Sequence, residues 1–295
     1  MKTFHNPEQF QREMEKRRRQ KTIGFVPTMG ALHEGHLSLV RRARRENQIV
    51  VVSLFVNPLQ FGPREDFKKY PRTFKRDRAL LAGEKVDFLF MPSAASFYPG
   101  RFQTFVEVIN LSRGLCGRFR PGHFRGVATV AAKLFNLVRP HRAYFGTKDY
   151  QQAVLIKRMA RDLNFNLEVK LLPTIRDQDG LALSSRNAYL TPKERARALS
   201  ISRSLVWAQR EIRQGRRNLR RLRRGILREL KRGLSRVDYV EFAEPETLQP
   251  VGSVRGRFVI AVAGWVGKTR LIDNAIMQRK TKSGKRKALE PLRGN

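Results

Sequence analysis

Along the first two-thirds of the chain, short apolar runs alternate with segments in which apolar positions recur every three or four residues. Thr22 to Val26 reads as a buried strand, followed by a loop from Pro27 to Gly35. From His36 to Glu46, Leu37, Leu39, Val40 and Ala43 form an apolar stripe, while Arg41, Arg42, Arg44 and Arg45 lie off it. That spacing predicts a helix with one buried face. Ile49 to Val56 is β-branched and nearly continuous, as expected of a parallel strand covered on both sides. The alternation goes on with a helix from Asp77 to Ala82 and a strand from Phe88 to Met91. A helix from Val127 to Leu137 stops before Pro140, and a short strand follows from Ala143 to Phe145. Gln151 to Leu163 then reads as a helix and Leu167 to Leu172 as a strand. This order predicts a doubly wound α/β domain with a parallel sheet over residues 1–174.

The character changes after Thr174. Pro192 to Gln209 and Leu219 to Leu234 read as exposed, Arg-rich helices, and Val237 to Ala243 and Arg257 to Ala263 as strands. Helices followed by antiparallel strands predict a smaller α+β domain over 175–277. The tail, 278–295, is polar and basic with little to bury, and disorder is expected there. No internal repeat is visible.

Charge changes the picture more than overall composition does. Sixty-one Lys and Arg against 25 Asp and Glu give a net charge of +36 over 295 residues. Such a balance raises nucleic acid, an anionic surface or an anionic substrate as partners, and says nothing of fold. The densest run is Arg216, Arg217, Arg220, Arg221, Arg223 and Arg224, which reads first as a solvated face. The single cysteine, Cys116, can form neither an internal disulfide nor a thiolate metal cluster. The apolar runs are too short to cross a bilayer, and Met1 to Gln20 lacks the apolar core of a signal peptide. A cytoplasmic location is expected.

The richest chemistry follows the first strand, in Pro27-Thr28-Met29-Gly30-Ala31-Leu32-His33-Glu34-Gly35-His36. A strand-to-helix turn lies at the carboxyl edge of a parallel sheet, where ligands bind. The helix amino terminus offers free N–H groups and a positive dipole end to phosphate. His33 and His36, three apart, can share one face and donate to charge developing in a transition state. A metal pair is the competing reading, but no suitably spaced third ligand exists beyond Glu34.

Other segments are weaker alone. Asn57 and Gln60 follow the second strand and could bind a hydroxy acid through their carboxamides, or simply cap a turn. Lys148 and Asp149, between a strand and a helix, could meet phosphate and ribose, or form an exposed ion pair. Ser184, Ser185 and Arg186 suit an anionic triphosphate, or an ordinary loop. Gly267-Lys268-Thr269 imitates the end of a phosphate-binding Walker loop, but Val262 stands where the first glycine belongs.

H-x-G-H in this position resembles the nucleotidylyltransferase superfamily. The whole string from Pro27 to His36 is similar to the pantothenate synthetase (pantoate–β-alanine ligase) family. So are Phe55 to Gly62, Tyr70 to Thr73, Arg120 to Val127, Phe145 to Gln152, Asp179 to Asn187 and Thr269 to Asn274, in the family's order. The resemblance implies a Rossmann-like nucleotidylyltransferase domain with a C-terminal lid domain, often as a homodimer. It implies ATP-dependent condensation of pantoate with β-alanine through pantoyl adenylate, releasing AMP and pyrophosphate, with Mg²⁺ carried by ATP. His33, His36 and Lys148 would be catalytic. ATP would meet Met29 to His36, Gly146, Thr147, Lys148, Asp149, Ile175, Leu183, Ser184, Ser185 and Arg186. Gln60, Gln152 and Asn57 would meet pantoate or β-alanine. Arg120 to Val127 resembles an active-site flap, and His123 and Arg125 in it are given no chemistry. Thr147 and Leu183 depart from the family's usual glutamate and methionine. An adenylyltransferase of another substrate would share H-x-G-H but not the Gln60 and Gln152 strings, and a nucleic-acid-binding protein would explain only the charge.

Overall fold

A computed structural model of the chain describes residues 1–278, apart from Arg64, Arg101 and Arg255. The chain opens with a strand and helix that the apolar pattern did not reveal, β1 (Lys2–Phe4) and α1 (Pro7–Arg18). Asn6 caps α1 by accepting from the Gln9 backbone N–H, and Pro7 starts it, a local start signal independent of hydrophobicity. Only Phe10 and Met14 of α1 are buried, and Phe10 stacks on Phe90 with ring centroids 4.4 Å apart.

The expected alternation then appears as β2 (Ile23–Thr28), α2 (Glu34–Glu46), β3 (Ile49–Leu54), α3 (Phe74–Gly83) and β4 (Phe88–Phe90). Three short helices, α4 (Ala94–Phe97), α5 (Ile109–Arg113) and α6 (Cys116–Phe119), precede the long α7 (His123–Val138). β5 (Arg142–Gly146), α8 (Tyr150–Asp162) and β6 (Glu168–Leu172) complete the unit. The six strands form one sheet in the order β1-β4-β3-β2-β5-β6, with every pairing parallel. All six residues of β3 are buried, which explains its unbroken apolar sequence. From β2 the chain builds outward through β3 to β4, then returns to lay β5 on the other side of β2. The carboxyl ends of β2 and β5 therefore flank a topological switch point, the crevice where such sheets bind ligands.

The second unit holds α9 (Pro192–Arg213), α10 (Leu219–Lys231), β7 (Arg236–Ala243), β8 (Arg257–Val266) and β9 (Thr269–Gln278). Its strands form an antiparallel sheet in the order β7-β8-β9. The fold is thus the expected Rossmann-like α/β arrangement with a small antiparallel-sheet domain. Two details differ from the sequence reading, at β9 and α7, and a third agrees with its rejection of a Walker loop. β9 is a full strand where only a motif was recognised. Gly267 and Lys268 form the tight β8–β9 turn, with Gly267 at φ 55°, so the Walker imitation is a hairpin. α7 begins at His123, so only the His123 to Val127 part of the segment resembling a flap lies in the first turns of a largely buried helix. Gly126 permits that packing: a Cβ there would lie 2.1 Å from the Leu59 carbonyl oxygen. The tail expectation, from 279 onward, falls outside the described residues.

Candidate active site

The turn after β2 is set by its backbone. Gly30 (φ 85°) and Ala31 (φ 51°) both adopt the left-handed region, which bends the chain sharply toward α2. The fully buried Asp77 of α3 holds this bend: its carboxylate accepts from Ala31 N–H and Leu32 N–H, both at 2.9 Å, and from Thr73 Oγ1 at 3.0 Å. In so basic a chain, a carboxylate in the first turn of a helix was the available signal for it.

The two histidines cap α2. His33 Nδ1 accepts from Gly35 N–H at 3.2 Å, and His36 Nδ1 accepts from His33 N–H at 3.4 Å, a capping box with imidazole in both roles. The rings lie 4.1 Å apart, and both line the cavity above the switch point. With Nδ1 accepting, the ring proton resides on Nε2, leaving Nε2–H as the free donor. Burial first, and then Lys148, lowers His33 from 6.5 to about 4. Burial and the neighbouring His33 lower His36 from 6.5 to about 3. Both imidazoles are therefore neutral donors near pH 7. Gly35 is required by this arrangement, because a Cβ there would lie 2.9 Å from the His33 ring.

Met29, Gly35, Asn57, Gln60, Gly146, Lys148, Asp149, Gln152, Ile175, Leu183, Ser184, Ser185 and Arg186 line the same cavity. Five expected nucleotide contacts do not line it. Gly30, Ala31 and Leu32 shape the turn from behind, with Leu32 buried. Glu34 faces outward and pairs with Arg41. Thr147 contributes a backbone carbonyl that accepts from Asn274 Nδ2 at 2.8 Å.

Asn57 is 1% exposed and satisfied internally. Its Nδ2 donates to Gln60 Oε1 and Gly126 O, both at 3.1 Å, and its Oδ1 accepts from Tyr98 OH at 2.9 Å. It positions Gln60. The Gln60 carbonyl is held by His123 Nδ1 at 2.8 Å and Arg120 Nη2 at 3.2 Å, and Arg120 pairs with Glu65. Burial and Arg120 lower His123 to about 3. His123, given no role from sequence, thus supports the glutamine loop, while Arg125 stacks 4.0 Å from the Phe105 ring centroid. Of the Gln151-Gln152 pair, only Gln152 reaches the cavity; Gln151 is buried, bonded to Leu111, Gly114 and Cys116 backbone. Lys148 Nζ lies 3.5 Å from Asp149 Oδ1, and Lys148 and Arg186 hold that carboxylate below its usual range against the opposing effect of burial.

The family model described as pantoate-beta-alanine ligase matches residues 2–276. The pantothenate synthetase of Thermotoga neapolitana is 55% identical over 278 residues, 94% of this chain and 99% of that protein. The crystal structure of pantothenate synthetase from Thermus thermophilus superposes with a TM-score of 0.89 at 48% identity, covering 93% of this chain and 99% of the other. This chain belongs to the pantoate–β-alanine ligase family. The ligase from Francisella tularensis, solved in complex with beta-gamma ATP and beta-alanine, matches at 37% identity with a TM-score of 0.76, covering 94% and 97%.

The ligase signature at Thr269 to Asn274 also gains a structural account. Asn274 Nδ2 donates to the carbonyls of Thr147 and Lys148 at 2.8 and 2.9 Å, tying β9 to the lysine turn. The buried Asp273 takes both Arg176 Nη1 and Nη2, at 2.7 and 3.0 Å. Arg270 pairs with buried Asp238 at 2.8 Å and donates to Cys116 Sγ at 3.1 Å, so the lone cysteine is part of the packing between the two units. Among the described residues, no cluster of three or more His, Cys, Asp and Glu could hold a metal, and no helix is long and apolar enough to cross a membrane.

Proposed function

We propose that this cavity condenses pantoate with β-alanine at the expense of ATP, in two steps. The pantoate carboxylate attacks the α-phosphorus of MgATP and pyrophosphate leaves; the β-alanine amine then attacks the acyl carbon of pantoyl adenylate and AMP leaves. One observation carries the reading: two neutral imidazoles, each with Nδ1 taken by backbone, present Nε2–H donors at a helix amino terminus inside a cavity that also holds Lys148 and Ser184 to Arg186. Donors fixed in advance stabilise the charge of the pentacoordinate phosphorus without reorganising. Lys148, Ser184, Ser185 and Arg186 meet the phosphates, and Mg²⁺ arrives with ATP to neutralise their charge. Gln60 and Gln152 bind pantoate's carboxylate and hydroxyls. Phe55, Val127, Val130, Ala131 and Ile156 line the same cavity and suit the two methyl groups of pantoate. The test is ATP–pyrophosphate exchange. Exchange that requires pantoate and Mg²⁺, and proceeds without β-alanine, is the expected result. Exchange indifferent to pantoate overturns the substrate assignment.

The remaining expectations are part of the same reading. A boundary near residue 174 is supported by the end of β6 at Leu172 and by a second apolar core that starts at Leu181. A cytoplasmic location fits the substrates. A homodimer is supported by apolar side chains exposed along one stretch, Phe105 (40%), Ile109 (57%) and Phe119 (42%), and light scattering distinguishes it from a monomer.

A second activity, sequence-independent binding of nucleic acid, rests on α10. Arg220, Arg224, Arg228 and Lys231 form an exposed stripe opposite the fully buried Leu222, Ile226 and Leu230. With its apolar side buried, the helix has only charge to offer a polyanion. A gel-shift at physiological salt should show retardation that weakens on replacing Arg220, Arg224 and Arg228 by Gln. Equal retardation by the variant removes this reading.

A further inference from the structure

The sequence places Arg186 among phosphate ligands but gives no reason why a long, flexible side chain should stand ready for a phosphate. The structure supplies one in the loop after Gln60. Asp66 accepts from Arg186 Nε at 2.9 Å through Oδ2 and from Nη2 at 2.8 Å through Oδ1, a two-point pair on one edge of the guanidinium. Tyr189 OH lies 3.2 Å from Asp66 Oδ2 and 3.2 Å from the Lys69 carbonyl oxygen, which steadies the carboxylate in turn. Both partners are mostly buried, with side-chain exposures of 26% for Arg186 and 23% for Asp66. The Tyr70 ring covers one side, 5.8 Å from the guanidinium. The Nη1 group makes no hydrogen bond among the described residues, and Arg186 lines the cavity with Lys148 and Ser184. The neighbouring Ser185 Oγ donates to the Ala31 carbonyl at 3.1 Å, which fixes the same loop against the histidine turn.

We propose that Asp66 is a positioning residue for the nucleotide: by holding the Nε–Nη2 edge of Arg186 it presents the Nη1 edge to the ATP phosphates and fastens the serine-arginine loop to the parallel-sheet unit. The inference rests on the reading that Arg186 meets phosphate. The physical reason is preorganisation. An arginine has much rotamer freedom to lose on binding, and a two-point partner removes most of that loss before the ligand arrives. A carboxylate placed to compete with phosphate would have the opposite consequence, so the two roles are separable by experiment.

The experiment is steady-state kinetics of Asp66→Asn, Arg186→Ala and the double variant, with ATP and pantoate varied separately. Asp66→Asn keeps the shape and loses the charge. The expected result is a rise of about 10- to 100-fold in KM for ATP, the scale of a lost charge-assisted hydrogen bond, with KM for pantoate unchanged. In the Arg186→Ala background the same substitution should have little further effect, because its only route to ATP is through Arg186. Asp66→Glu should restore part of the loss. A fall in KM for ATP on Asp66→Asn overturns the proposal in favour of competition. Equal rises in both KM values, or an undiminished effect in the Arg186→Ala background, reduce Asp66 to a structural residue. If Arg186→Ala itself leaves KM for ATP unchanged, the phosphate role of Arg186 fails and the proposal fails with it. Thermal unfolding of each variant confirms that the protein measured is folded.

Discussion

Two regions of this molecule are rich in arginine and handle it in opposite ways. In the packed body of the protein, four largely buried guanidinium groups have a carboxylate: Arg120 has Glu65, Arg186 in the cavity has Asp66, Arg176 has Asp273 and Arg270 has Asp238. Along α10, Arg220, Arg221, Arg224 and Arg228 are exposed and have no ion-pair partner among the described residues. The difference follows from solvation. A guanidinium taken out of water must be paired, whereas one left in water gains little from a partner. The chain's 25 acidic residues cannot serve 61 basic ones. Several of those acids stand beside the buried cations, two of them, Glu65 and Asp66, next to the Gln60 loop and the cavity's Arg186.

The sharpest way to break this comparison is to remove a buried carboxylate. Asp238 is 3% exposed in its side chain and bonds both Arg270 and Trp265, so Asp238→Ala should cost about 3–5 kcal/mol in chemical denaturation. A loss below about 1 kcal/mol would show that burial does not set the rule. In the cavity itself, His36→Ala should lower the turnover rate by about 10²–10³-fold, the effect of losing one transition-state donor. Turnover close to that of the unaltered enzyme would take His36 out of the mechanism.

A smaller effect concerns pH. His33, His36 and His123 sit near 4, 3 and 3, all below the usual 6.5. The folded state therefore binds fewer protons than the unfolded chain below pH 6.5. Their contribution to stability is complete above that value and is lost as pH falls from 6.5 toward 3. Each imidazole adds up to about 1.4 kcal/mol per pH unit to the slope in that window. Denaturation measured across this range checks it, and turnover by the folded enzyme should show no acid limb at 6.5 from the histidine pair. The smallest effect belongs to the exposed face. Arg220→Gln and Arg224→Gln should change stability by no more than about 0.5 kcal/mol and leave pantothenate formation unaltered. A change as large as that of Asp238→Ala would mean that α10 has partners the ion pairs do not reveal.

Much of the fold was legible because its signals are local. The unbroken apolar run of β3 and the stripe on α2 each required one structural answer. The histidine turn was legible because strand, turn and helix are consecutive in sequence. α1 was not, since only Phe10 and Met14 are buried and its start is marked by Asn6 and Pro7 instead. β9 was hidden because the buried polar residues Asp273 and Asn274 interrupt its apolar alternation.

The sequence by itself determined the parallel-sheet domain and the place of the ligand crevice, because periodicity and turn chemistry act over a few residues, while most of the residues expected to act there came from the family resemblance of its motifs. Only the tertiary structure decided which of those residues face the cavity and which support them. It turned Asn57 inward to hold Gln60, gave His123 the Gln60 carbonyl and set Asp77 behind the turn at Ala31. It also brought Asp66 to Arg186 across 120 residues of chain. These contacts depend on distant segments meeting in three dimensions. What rewards them is the cost of leaving a buried polar group without a partner, and that cost exists only once the chain is folded.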